Sequence, residues 1–248
     1  MPDKADQAAR TGQFGPVIYA DWRDSSLDEI TEALEHRLIF RLTGSLRDDL
    51  VLDAGCGDGT LAQAAAGQEA ARVTGCDLDP RMVGKARATA ARNGMRIDFA
   101  VARLQALPFP DNTFDVVTCI TVLAFVPETM QAVREMARVL RPGGCLVIGD
   151  LGKWSIWAAR RRVRGWFGAK IWRTAKFWTA KELIALTRAA GLETGSVKGA
   201  IFYPPSTRLA RLIAPIDPAL GEMTTMGAAF VAIQATKPWS AESSRHGS

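Results

Sequence analysis

The sequence predicts a doubly wound α/β domain built on a mostly parallel sheet, and three observations carry that expectation. Short apolar runs alternate with helical stretches between residues 50 and 150. The first run ends in glycines at alternate positions, Gly55, Gly57 and Gly59, ahead of an alanine-rich helix. The runs are also nearly continuous in apolar residues, as strands covered on both faces are. With 248 residues, 48% hydrophobic and 23% charged, the chain has material for one large domain around one core.

Taken in order, residues 1–15 are polar, carry both charge signs and lack the apolar centre of a signal peptide, so a disordered leader is expected there. A single domain is expected over 16–237, with 16–44 as an N-terminal lid and helix, and a disordered polar tail over 238–248. Leu27, Ile30, Leu34, Leu38 and Leu42 recur at three or four, which predicts an amphipathic helix capped by Ser25 or Ser26. Ahead of it, Tyr19 and Trp22 either pack into the core or close over an active site. Strands are expected at Leu50–Ala54, Arg72–Asp77, Arg96–Val101, Phe114–Cys119 and Cys145–Gly149. Helices start near Thr60, at Pro80 and at Pro127; the second stops at Asn93-Gly94 and the third at Arg141-Pro142-Gly143-Gly144. After Asp150 the rhythm breaks into a basic, tryptophan-rich insertion, 152–178. Thr179 and Glu182 have capping-box spacing for a further helix, and Glu193–Phe202 and Gly227–Thr236 complete seven strands.

Composition narrows the chemistry. Cys56, Cys76, Cys119 and Cys145 are far apart and form no C-x-x-C pair, and His36 and His246 have no metal-ligand spacing; buried reduced thiols and no metal are expected. No apolar run reaches spanning length, so the chain reads as soluble and cytoplasmic. A net charge of +5 is mild, but it is unevenly spread.

The glycine turn needs a ligand. A dinucleotide fingerprint would place a third glycine where Thr60 stands, and Asp53 and Asp58 would repel a pyrophosphate; they suit a ligand with a positive group. A glycine turn without a ligand is the plain alternative for this stretch alone. Asp77, however, lies 20 residues after Gly57, the spacing of a ribose carboxylate in a nucleotide-binding βαβ unit.

Four stretches then fall in one order: Asp53-Ala54-Gly55-Cys56-Gly57-Asp58-Gly59, Gly75-Cys76-Asp77-Leu78-Asp79-Pro80-Arg81-Met82, Leu107-Pro108-Phe109-Pro110-Asp111 through Val117, and Arg134 through Gly144. Together they resemble the class I S-adenosylmethionine-dependent methyltransferases, in their small-molecule, type 11-like branch. That resemblance implies a Rossmann-like sheet with its last strand antiparallel, S-adenosylmethionine as methyl donor and S-adenosylhomocysteine as product. It implies that Asp77 accepts from the ribose hydroxyls, that Leu78 and Met82 pack on adenine and ribose, and that Asp53 acts through turn amides and water near the methionine portion. Ala54, Gly55, Cys56 and Gly57 would run beneath the cofactor, and Cys119 would offer its carbonyl to the ammonium. One departure is Arg103, which stands where the branch has an aspartate for the adenine amino group. Arginine has no acceptor, so Gln105, a backbone carbonyl or a stacked Arg103 guanidinium would substitute, with Leu104 N–H reaching the ring.

Methyl transfer from a sulfonium is an in-line displacement, so the chain must mainly align the reactants and exclude water, with a base only if the acceptor must lose a proton. Acceptor-facing candidates are Tyr19, Trp22, Thr121, Trp154, Asp150 and Tyr203. Asp150, with Tyr19, is the catalytic candidate, and a cap or a salt bridge to the insertion is Asp150's structural alternative. Phe125 occupies a stretch where some relatives carry a catalytic histidine. Between Lys153 and Lys176 stand eight basic residues and no acid, and five of the chain's seven tryptophans lie at 154–178. A lid with inward tryptophans is the first reading, membrane-surface contact the second, and nucleic acid the least favoured. The expected function is methyl transfer to an O, S or N of a small apolar or amphiphilic molecule such as a thiol, phenol or quinol. The alternatives are a membrane-surface enzyme acting on a lipid or quinone headgroup and a non-catalytic S-adenosylmethionine-binding scaffold. The sequence leaves the oligomeric state open.

Overall fold

The computed structural model describes residues 26–239. The expected leader, Tyr19, Trp22, His246 and most of the tail lie outside the described residues. The chain runs α1 (Ser26–Thr43), β1 (Leu50–Ala54), α2 (Thr60–Ala66), β2 (Arg72–Asp77), α3 (Pro80–Arg92), β3 (Ile97–Val101), β4 (Phe114–Ile120), a 3-10 turn (Leu123–Phe125), α4 (Thr129–Val139) and β5 (Leu140–Leu151). It continues through α5 (Ile156–Trp166), α6 (Lys170–Thr174), α7 (Ala180–Ala189), β6 (Glu193–Ala200), α8 (Thr207–Ile213), α9 (Asp217–Met223) and β7 (Phe230–Thr236).

One seven-stranded sheet has the order β3-β2-β1-β4-β5-β7-β6. The first five strands are parallel, and β7 is antiparallel to both β5 and β6. Strand order reverses between β1 and β4, which opens a crevice at their carboxyl ends. The core lies on both faces, with Leu52, Val117, Leu146 and Ile148 fully buried at the sheet centre.

Local chemistry sets the helix starts. Asp79 accepts from Arg81 N–H at 2.9 Å with Pro80 at the first helical position of α3. Thr179 and Glu182 form the expected reciprocal box on α7, at 3.2 and 2.8 Å. The Leu107–Val117 and Arg134–Gly144 motifs clamp one another. Glu135 accepts from Leu107 N–H at 2.9 Å, and Arg138 donates to the Leu107 and Phe109 carbonyls at 3.0 and 2.9 Å while pairing with Asp111. Those signatures therefore hold the loop before β4 onto α4.

Several boundaries differ from expectation. β5 begins at Leu140 instead of Cys145, because Leu140 pairs with Phe114 across a register shift, and Gly143 and Gly144 exchange backbone bonds with Lys237 at 2.8 and 3.1 Å. Arg141-Pro142-Gly143-Gly144 thus follows the end of α4 at Val139, as expected, and in addition forms the start of β5. The Trp239 ring lies against Gly143, where a Cβ would meet it at 2.6 Å. β3 starts at Ile97, β6 stops at Ala200 and β7 starts at Phe230, and the Pro-interrupted segment between β6 and β7 holds two helices.

The insertion is an excursion tied at its base. Trp178 N–H donates to the Leu151 carbonyl and Lys153 N–H to the Trp178 carbonyl, both at 2.8 Å. Between these points α5 and α6 fold as a hairpin around Arg161, whose guanidinium lies 5.3 Å from the Trp157 ring and 5.0 Å from the Trp172 ring.

Candidate active site

The crevice is built by three left-handed glycines. Gly55, Gly57 and Gly59 have φ of 86°, 54° and 82°, a region that disfavours side chains. Gly55 is further constrained, since a Cβ there would meet the Val122 side chain at 2.4 Å. The turn is tied to β2: Gly55 and Cys56 N–H both donate to the Cys76 carbonyl, at 2.7 and 2.8 Å.

Asp77, at the end of β2, accepts from Gly57 N–H at 3.0 Å and from Asp79 N–H at 2.9 Å, one on each oxygen. A carboxylate has about four acceptor sites, so both oxygens keep capacity for a diol. Burial raises the Asp77 pKa, opposed by the Asp79 and Gly57 amides.

Asp53 is buried, with one oxygen accepting from the Thr118 hydroxyl at 3.2 Å and Oδ2 making no hydrogen bond. Burial pushes its pKa up to about 7; the Thr118 hydroxyl opposes this, Asp77 adds to it and the Ala62 amide opposes it. An orphaned buried carboxylate oxygen beside a glycine cradle and a diol-accepting carboxylate fits a ligand with a cationic group and a ribose. Asp58 plays no such part, because it takes the Lys85 ammonium at 3.2 Å and the Thr60 hydroxyl at 3.0 Å.

Of the other expected cofactor residues, Leu78 presents exposed apolar surface beside Asp77, whereas Met82 is buried. Arg103 is exposed and its carbonyl accepts from Ala106 N–H at 3.1 Å; Leu104 packs in the core. Ala54 and Cys56 are buried beneath the turn. Cys119 is fully buried, its thiol pKa pushed well up by burial, and burial likewise raises Cys76 to about 12. These thiols are packing groups.

On the acceptor side, Thr121 is half-buried at the end of β4 with φ 57°, a strained setting for a β-branched residue, and its N–H donates to the Gly149 carbonyl at 2.7 Å. Asp150 is fully buried and holds the 3-10 turn: its oxygens accept from Leu151 N–H at 2.7 Å and Ala124 N–H at 3.0 Å. Burial pushes its pKa to about 7, against the Leu151, Ala124 and Leu123 amides and the Arg161 charge. Its geometry is that of a positioning group rather than an open base. Tyr203 is 1% exposed, with its hydroxyl 3.1 Å from the Thr31 hydroxyl, so its ring is wall rather than reactive group. Trp154 is 60% exposed.

A cavity of about 480 Å³ is lined by Lys153, Trp154, Ile156, Arg162, Phe202 and Tyr203 among others. It sits at the carboxyl ends of β5 and β6 and the start of β7, along the same sheet edge as the glycine crevice. Sequence reasoning missed Thr118 and Val122, which shape the crevice, and Trp157, which joins the cavity walls. None carries a local signal, since each acts through a partner distant in sequence. Among the described residues no group of three His, Cys, Asp or Glu could hold a metal ion, and no helix is long and apolar enough to cross a membrane.

Residues 52–148 match the family described as methyltransferase domain. The chain is 34% identical to the ubiquinone biosynthesis O-methyltransferase of Idiomarina loihiensis, over 65% of this chain and 69% of that protein. It is 34% identical to the protein of the same name from Thiobacillus denitrificans, over 85% of this chain and 93% of that one. Its fold is similar to that of an S-adenosylmethionine-dependent methyltransferase from Thermotoga maritima, with a TM-score of 0.66 at 22% identity, covering 88% of this chain and 94% of that one.

Proposed function

The chain belongs to the class I S-adenosylmethionine-dependent methyltransferases, and from that premise we propose that it methylates an oxygen of a small apolar or amphiphilic acceptor, a phenol or quinol, bound over β5, β7 and β6. The observation that carries the acceptor reading is the aromatic-walled cavity between Trp154 and Phe202, on the same edge of the sheet as the glycine crevice. The relatives named for O-methyl transfer in ubiquinone biosynthesis support oxygen as the atom methylated.

Bound S-adenosylmethionine supplies a methyl group on an already activated leaving group. Asp77 holds the ribose hydroxyls, and the Gly55–Gly57 backbone gives close approach without a Cβ. Asp53 would offer its buried carboxylate to the methionine end, where an ammonium would lower the cost of its burial. Leu78 covers an apolar face. Asp150 orders the 3-10 turn after β4, and the Trp154 and Phe202 rings would cover part of an acceptor bound in the cavity. Transfer would form the oxygen–methyl bond as the sulfur–methyl bond breaks, with the acceptor proton released to water; Tyr19 and Trp22, outside the described residues, are proposed as acceptor-side residues on the strength of the sequence.

An acceptor panel read by S-adenosylhomocysteine formation tests this. Phenols and quinols should turn over in preference to thiols and amines. Turnover confined to thiols or amines overturns the oxygen reading, and cofactor binding without turnover on any acceptor leaves the scaffold alternative.

A further inference from the structure

The α5–α6 hairpin carries more apolar and cationic surface than closing a cavity requires. Trp172 and Trp178 are buried, and Trp157 packs with Arg161. Trp166 and Phe167, by contrast, stand 82% and 87% exposed at the hairpin tip, with Val163 exposed on the same helix and Ile156 exposed at its base. Gly168, at φ 107°, turns the chain there. Gly165 lies so close to α6 that a Cβ would meet the Trp172 backbone at 3.2 Å. The two helices are thus pressed together, and the tip residues are held outward. Around them Arg160, Arg164, Lys170 and Arg173 are exposed, and no acid occurs between Lys153 and Lys181.

We propose that this hairpin docks on an anionic lipid surface, with Trp166 and Phe167 entering the interface and Arg160, Arg164, Lys170 and Arg173 meeting lipid phosphates. Aromatic side chains at headgroup depth flanked by guanidinium and ammonium groups are what such an interface accommodates. Val163 and Ile156 favour lipid over nucleic acid, since aliphatic side chains bury among acyl chains but offer bases no stacking surface. Docked in this way, α5 brings its Ile156, Ala159 and Arg162 side of the acceptor cavity next to the bilayer, so an amphiphilic acceptor reaches the site without crossing water. Only this last step rests on the proposed methyl transfer; the docking does not.

Flotation of the full chain with phosphatidylcholine vesicles, with and without phosphatidylglycerol, tests the docking without any turnover. The protein should float with the anionic vesicles only, and less at high salt. Trp166→Ala/Phe167→Ala should reduce the floated fraction about tenfold while its thermal unfolding matches wild type, because both side chains are exposed. Arg160→Ala/Arg164→Ala should act in the same direction. Wild type remaining unbound with anionic vesicles overturns the proposal. So does a double aromatic variant that folds and floats as wild type, or tighter binding to single-stranded RNA that competes the vesicles away.

Discussion

The indole N–H of Trp157 donates to the carbonyl oxygen of Tyr203 at 2.7 Å. It joins the hairpin after β5 to the turn after β6, the two walls of the proposed acceptor cavity, and the Tyr203 hydroxyl extends the joint to Thr31 of α1. Trp157→Phe removes the donor and leaves a carbonyl without its partner, which costs about 1 kcal/mol of stability. The acceptor KM should rise several-fold while the cofactor Kd stays unchanged, as steady-state kinetics and calorimetry on the same preparation would show. A change in cofactor Kd alone would contradict the division of the site.

Asp150→Asn places an amide NH2 against Ala124 N–H or Leu151 N–H, two donors facing each other. We expect a loss of about 1–3 kcal/mol in denaturant unfolding, with kcat of the folded fraction within a few-fold of wild type. A kcat reduced by more than about a hundredfold, with unfolding unchanged, would make Asp150 the base.

The Asp53 carboxyl gives a pH signature. Its folded pKa lies above the ordinary 3.8, near 7, so between those values the folded state binds the extra proton. The ligand-free protein should therefore lose stability as pH rises through this window and level off above 7. Asp150 contributes in the same direction, so the test is Asp53→Asn, which should flatten part of the slope in unfolding curves taken from pH 4.5 to 8. A cationic ligand beside Asp53 lowers its pKa, so S-adenosylmethionine should bind more weakly at pH 5.5 than at 8 and release a proton on binding near pH 6.5. Titration heats that do not vary with buffer ionisation enthalpy would contradict this.

The sheet was legible in the sequence because its strands are continuous apolar runs punctuated by Gly55, Asn93-Gly94 and Pro80, all local signals. That Asp53, Gly57 and Asp77 converge on one crevice was legible for a similar reason: they sit at fixed spacings on consecutive elements. What the sequence did not disclose depends on distant pairings. Arg141-Pro142-Gly143-Gly144 ends α4 as its composition suggests, but that it also opens β5 emerges only when Lys237 pairs with it. Asp58 looks like a ligand group until Lys85 of α3 takes its charge. Tyr203 reads only as an acceptor-facing candidate until Thr31 of α1 and Trp157 of α5 are seen to take its hydroxyl and carbonyl. In the basic insertion the composition was plain, but which tryptophans turn inward is decided by the Arg161 sandwich, a packing fact invisible to periodicity.

We propose that the Asp53–Asp77 crevice holds S-adenosylmethionine, with Asp77 binding through both oxygens. Isothermal titration of wild type and Asp77→Asn tests it most directly, since asparagine keeps the shape but can accept from only one of Gly57 and Asp79 and cannot take the full diol. Wild type should bind one equivalent, and the variant should bind about 10- to 100-fold more weakly with its unfolding transition still cooperative. No heat with S-adenosylmethionine, equal binding by the variant, or binding of NAD in its place would contradict the account.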